Sequence, residues 1–154
     1  MHMNSKNRVL QRERDRGRAD ALSLASVADK LNGTDLIHNE DKIPLWSDSA
    51  VYTSKHIGYP VQYDGQVFTI LQPHTPSHNP GVFPIDLPAI YSIQHTKEPD
   101  RAKPYTAPHG TSGLYMLDEC CTKDGKTWVS LIDNNAYPPG ETGTDQMWGV
   151  IPDA

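Results

Sequence analysis

The chain is poor in the residues that usually build a large core. Only two of its 154 residues are phenylalanine, and the hydrophobic set makes up 36%. Ordinary globular chains carry roughly 45–50%, a figure that also counts glycine. Mean hydropathy is -0.61. One large core is therefore not expected. No stretch approaches the roughly 18 consecutive apolar residues of a membrane-spanning helix. No apolar run near the N-terminus marks a secretory route. Proline is missing before Pro44, and all 13 lie at or beyond it, which breaks that stretch repeatedly and excludes an all-helical bundle.

Cysteine is scarce as well. Cys120 and Cys121 are the only two, and they are adjacent. A bond between neighbours is strained and closes almost no loop. A disulfide scaffold and a four-cysteine zinc site are both excluded. On a strand the two thiols point to opposite faces, one buried and one outward.

Charge is split along the chain. Residues 1–20 hold six basic and three acidic side chains, a net of +3, against -8 for the rest and -5 overall. An acidic body does not suit general nucleic-acid binding, which needs clustered Lys and Arg. The basic head reads as a solvated helix face or arm, or as a contact to an acidic surface.

What is present falls into two halves. From Asn4 to Leu31 there is no proline, and Ala21, Leu24, Ala25, Ala28 and Leu31 follow helical spacing. Asn32-Gly33 is a C-terminal stop signal. The stripe is narrow, so this helix is expected to pack on the body or on another chain. Residues 34–50 read as a connector, with Trp46 as a packing anchor. Beyond it, Val61–Tyr63 and Gln66–Leu71 flank Asp64-Gly65, and Cys120–Thr122 and Lys126–Ile132 flank Asp124-Gly125. Asp-Gly between β-prone runs is a hairpin signal, because a type I′ turn needs positive φ at both central positions.

The two hairpins form an internal repeat. Each has an aromatic before it (Tyr52, Tyr115), a Pro/Gly loop after it (Pro80-Gly81, Pro138-Pro139-Gly140) and a closing aromatic (Tyr91, Trp148). Repetition implies two small sheet modules rather than one sandwich. Aromatics supply much of each minicore, at about 150–250 Å² buried apiece. The stretch 95–108, with Pro99, Pro104 and Pro108, reads as a stiff spacer.

The order aromatic, apolar-x-Tyr-x-Gly-x-x-aromatic, loop, aromatic resembles the small chitin-binding type of carbohydrate-binding module. The first copy shows it as Val61-Gln62-Tyr63-Asp64-Gly65-Gln66-Val67-Phe68, closing at Tyr91. The second shows Asp124-Gly125-Lys126-Thr127-Trp128, closing at Trp148, with Lys123 where the motif has Tyr. Tandem degenerate copies resemble those of tailed-bacteriophage proteins, and Lys123 to Asn135 is similar to virion and tail-associated proteins. The resemblance implies two compact three-stranded antiparallel modules. It also places exposed sugar-stacking aromatics just after the second strand, where this chain has Gln72-Pro73 and Ile132-Asp133. The scaffold looks kept and that platform lost.

Reactive constellations are weak. His74 and His78 have a helical metal-ligand spacing, but Pro73, Pro76 and Pro80 exclude the helix. His109-Gly110-Thr111-Ser112-Gly113 is not a nucleophile elbow. Asp118-Glu119 and Glu40-Asp41 read as solvated acids rather than glycosidase carboxylates.

The expected fold is mainly β: two small antiparallel three-stranded modules preceded by an N-terminal helix. Its expected parts are 1–33 (helix), 34–50 (connector), 51–94 (first module), 95–108 (spacer) and 109–154 (second module). The expected function is a bacteriophage virion accessory protein, a capsid decoration, head fibre or tail-associated chain, located in the virion. The alternative is a glycan-binding module without a virion role. An enzyme, a cofactor, a metal, a membrane and a specific nucleic acid are not expected. Expected partners are other virion proteins, sister chains in a homo-oligomer such as a trimer, and a host-surface glycan. Trp128, Tyr137, Trp148 and Tyr91 are the candidate ligand contacts. Arg12, Arg16, Leu22, Leu24, Ala28 and Leu31 are the candidate attachment residues.

Overall fold

The structure, a computed structural model, describes residues 32–152. The expected helix over 4–31 and its attachment residues lie outside them. Within them the fold is mainly β, with two sheets and little helix.

Asn32 opens a helix; whether it also ends one over 4–31 lies outside the described residues. Its side-chain oxygen accepts the Asp35 N–H at 2.9 Å and caps α1, Gly33–His38. Asp35 in the first turn and His38 in the last suit the helix dipole. Six residues cannot hold a helix alone. Leu36 and Ile37 bury fully and pack with Ile43 and Val67. Gly33 sits so close to the chain at His95 that a Cβ there would lie 2.2 Å from the His95 carbonyl oxygen.

Both Asp-Gly pairs form the expected turns. Asp64 and Gly65 have φ of 51° and 75°, and Asp124 and Gly125 have 55° and 75°. The first joins β1, Pro60–Tyr63, to β2, Gln66–Ile70, and β3, Tyr91–Ile93, completes an antiparallel sheet in the order β1-β2-β3.

The second sheet departs from expectation. Its hairpin joins β5, Cys120–Lys123, to β6, Lys126–Ser130, and β7, Trp148–Ile151, pairs with β6. A fourth strand, β4, Lys103–Pro104, lies parallel to β5 at its free edge. The stretch 95–108, expected as a stiff spacer, pairs with the second sheet at Lys103–Pro104 and at Thr96. Proline is tolerated in β4 because an edge strand has no neighbour to donate to on its outer side. Both cysteines are buried, correcting the expectation of one outward thiol. Cys121 enters the aromatic core, and Cys120 is covered by the bridge to Thr96.

The two modules are clasped together. His38 and Glu98 pair at 3.0 Å, Glu40 pairs with Lys103, and the Lys97 N–H donates to Thr34 Oγ1. Gln66 Nε2 donates to the Pro104 carbonyl at 3.1 Å. His95 stacks on Tyr115 with ring centroids 3.7 Å apart, and its Nε2–H donates to the Gly113 carbonyl at 2.9 Å. Since a carbonyl only accepts, that bond fixes the proton on Nε2.

Candidate functional site

The repeat extends further upstream than the hairpins. A 3-10 turn over Glu40–Lys42 opens the first copy and one over Pro99–Arg101 opens the second. Each leads to an aromatic whose N–H bonds the first hairpin strand. Trp46 donates to the Gln62 carbonyl at 2.8 Å, and Tyr105 to the Thr122 carbonyl at 2.9 Å. The next residue completes the match: the Ser47 N–H donates to the Tyr52 hydroxyl, and the Thr106 N–H to the Tyr115 hydroxyl. Gly58 and Asp118 both take positive φ and donate to the carbonyls of Ile70 and Ser130. Position by position, Trp46, Tyr52 and Tyr91 in the first module answer to Tyr105, Tyr115 and Trp148 in the second.

The Trp and Tyr exchange places, and the polar wiring changes with them. In the first frame Trp46 Nε1–H donates to the Tyr91 hydroxyl at 2.9 Å. Tyr91 has then to pass its own proton on, and His74 Nδ1 stands 2.7 Å away. That leaves His74 Nε2–H to donate to Asn79 Oδ1 at 3.2 Å. The row runs from the core to a surface loop. Burial, the largest influence, raises the Tyr91 hydroxyl above the usual range. In the second frame Trp148 Nε1–H ends at once on the Tyr137 carbonyl at 2.7 Å. Asn135 replaces His74, fully buried, donating to Ser130 Oγ and the Met147 carbonyl and accepting the Tyr137 N–H.

These frames decide where the predicted contacts sit. Tyr91 and Trp148 are buried, at 1% and 3% exposure, and act as core closers with no ring face for a ligand. Trp128 is half-buried at the edge of the second core. Its Nε1–H donates to the Lys123 carbonyl, and the Lys126 ammonium stands 5.9 Å from its ring. Gly140 lies against it, where a Cβ would come within 3.2 Å of the ring. Tyr137 is the more open of the pair, with 47% of its surface exposed. Arg12, Arg16, Leu22, Leu24, Ala28 and Leu31 lie outside the described residues.

The reactive groups have structural explanations. His74 belongs to the polar row, and Pro76–His78 is a 3-10 turn. The Glu119 carboxylate accepts the Met116 N–H at 2.7 Å, and burial raises its pKa. Burial pushes the thiols of Cys120 and Cys121 up to about 11 and about 12, with neighbouring Asp118 or Cys120 adding to the shift. Both thiols therefore stay protonated at neutral pH. Among the described residues no group of three or more His, Cys, Asp or Glu side chains could hold a metal ion. Nor, among them, is any helix long and apolar enough to cross a membrane.

Sequence reading missed a cleft beside the first frame. It measures about 380 Å³ and is lined by Trp46, Phe83 and Pro76 with Asp48, Ser49 and Asn79. The signal that could have found its tryptophan is the upstream repeat: Lys42-Ile43 before Trp46 parallels Arg101-Ala102 before Tyr105.

No protein-family model and no curated protein matches the chain.

Proposed function

We propose that this chain is a binding and display protein without catalytic activity: a bacteriophage virion accessory that carries two carbohydrate-binding-like modules on an N-terminal attachment segment. The observation that carries the reading is the duplication itself. One aromatic frame is built twice, down to the paired Ser47–Tyr52 and Thr106–Tyr115 hydrogen bonds. Tandem units multiply weak contacts to a repetitive surface, because the second contact forms at high effective concentration once the first is made. Small aromatic-cored units with Pro/Gly loops suit recognition more than chemistry, and the motif order around Tyr63 and Trp128 supports the carbohydrate-binding likeness. The basic head, set against an acidic body, supports a separate attachment role for residues 1–31.

The test is incorporation. Particles formed in the presence of the full chain or of a variant lacking residues 1–31 are purified and probed for the protein. Co-purification of the full chain, lost in the shortened variant, is expected. Absence of the full chain from particles would remove the virion reading, and equal incorporation of both would remove the attachment role.

A further inference from the structure

We infer that the first module, and not the second, holds a neutral pyranose sugar in the cleft beside Trp46. The inference rests on reading the modules as binding units. Its own readout is sugar affinity, so it can fail while particle incorporation stands.

The cleft has the size and chemistry for one or two sugar rings. Its volume of about 380 Å³ falls in the roughly 300–1,000 Å³ range of small-molecule sites. A pyranose presents a C–H face and a rim of hydroxyls, each both donor and acceptor. Half-buried Phe83 supplies the apolar wall, held edge to face by the buried Trp46 with centroids 6.0 Å apart and floored by the buried Pro76.

The rim is polar and partly uncommitted. Asp48 is exposed, and among the described residues its carboxylate has no hydrogen-bond or ion-pair partner, so it can accept from two hydroxyls. Asn79 has its oxygen committed to His74, which leaves its two amide N–H donors for a ligand. The buried row from Trp46 through Tyr91 and His74 thus orients the rim amide from behind. An acceptor-only group and a donor-only group lining one cleft suit the hydroxyls of a sugar, each of which both donates and accepts. The carboxylate also disfavours an acidic sugar.

The second module lacks this arrangement. Ala107 follows Thr106 where Asp48 follows Ser47. Lys123, which answers to Tyr63, sends its ammonium to the Pro139 carbonyl at 2.9 Å and to Glu141 at 3.2 Å. In the first module Tyr63 instead stacks on Phe83 at 5.0 Å, behind the cleft wall. The ammonium contacts that hold the Pro139–Glu141 loop in the second copy have no counterpart at Tyr63 in the first.

The experiment is calorimetric titration of the full chain with glucose, N-acetylglucosamine, their β1→4-linked trimers and glucuronic acid. Binding of at least one neutral sugar, with glucuronic acid bound more weakly, is expected. Asp48→Ala, which gives the first module the residue of the second, should weaken that binding about tenfold, the worth of one hydrogen bond to a charged group. The thermal midpoint of Asp48→Ala should match the parent, since the side chain is exposed. Overturning results are no binding of any neutral sugar at millimolar concentration, or binding that Asp48→Ala leaves unchanged.

Discussion

The two modules solve one packing problem with the same parts in exchanged places. The first puts tryptophan at the edge and tyrosine at the closing strand, so Trp46 must donate to Tyr91, and the proton order runs on through His74 to Asn79. The second puts tyrosine at the edge and tryptophan at the closing strand, so the indole bonds the loop backbone directly. The first arrangement sends side-chain order out to a surface loop. The second spends it on fixing the loop itself. With the two aromatics exchanged, the polar row of the first frame ends on the side chain of a surface loop and that of the second on loop backbone.

The comparison is sharpest where it is broken hardest. Trp148→Ala and Trp46→Ala each remove a nearly buried indole, at 3% and 6% exposure. Each should cost about 3–5 kcal/mol. Because α1 and Lys103 tie the modules together, calorimetry should show one transition that either variant lowers. Two separable transitions would mean the modules are independent.

A smaller effect comes from acid. Burial, opposed in part by the bond to Gly113, pulls the His95 imidazole down from 6.5 to about 4. Between those values the unfolded chain binds a proton that the folded chain does not. This contribution is therefore intact above pH 6.5 and is lost as pH falls toward 4, by on the order of 3 kcal/mol. His95→Gln keeps a donor for the Gly113 carbonyl and should flatten the denaturation midpoint across that window. An unchanged slope would show that His95 is not held neutral between the modules.

The smallest effect is at Lys123. Its side chain is 25% exposed and its partner Glu141 58%, and surface pairs of this kind contribute about 0–1 kcal/mol. Lys123→Ala should leave stability nearly level while loosening the Pro139–Glu141 loop. Amide exchange at Gly140 and Glu141 would report it.

Much of the frame was legible in sequence because its signals are local. Asp64-Gly65 and Asp124-Gly125 have few backbone alternatives, and the alternation after each marks a strand. The parallel strand Lys103–Pro104 was not legible. Its partner, Cys121–Thr122, is chosen by the tertiary fold, and a proline-bearing pair reads as spacer when taken alone. The same limit hid the cleft. Asp48 and Asn79 are distant in sequence and line one cleft only in the folded chain, where the Tyr52–His74 bridge and the Tyr91–His74 bond draw their segments together. Residue type alone marks Tyr91 and Trp148 as contacts, but the hydrogen-bonding ends that make such rings useful at a surface are satisfied inside.

The most direct measurement is an NMR titration of the full chain with the neutral sugar that binds tightest, run on the parent, on Asp48→Ala and on Ala107→Asp. Amide shifts at Ser49, Asn79 and Gly81 in the parent, reached only at about tenfold more sugar in Asp48→Ala, with no comparable shifts at Tyr137, Gly140 and Glu141 in any of the three, are expected from a sugar site in the first module and none in the second. Equal shifts in both modules of the parent, or shifts confined to the second, would contradict that account.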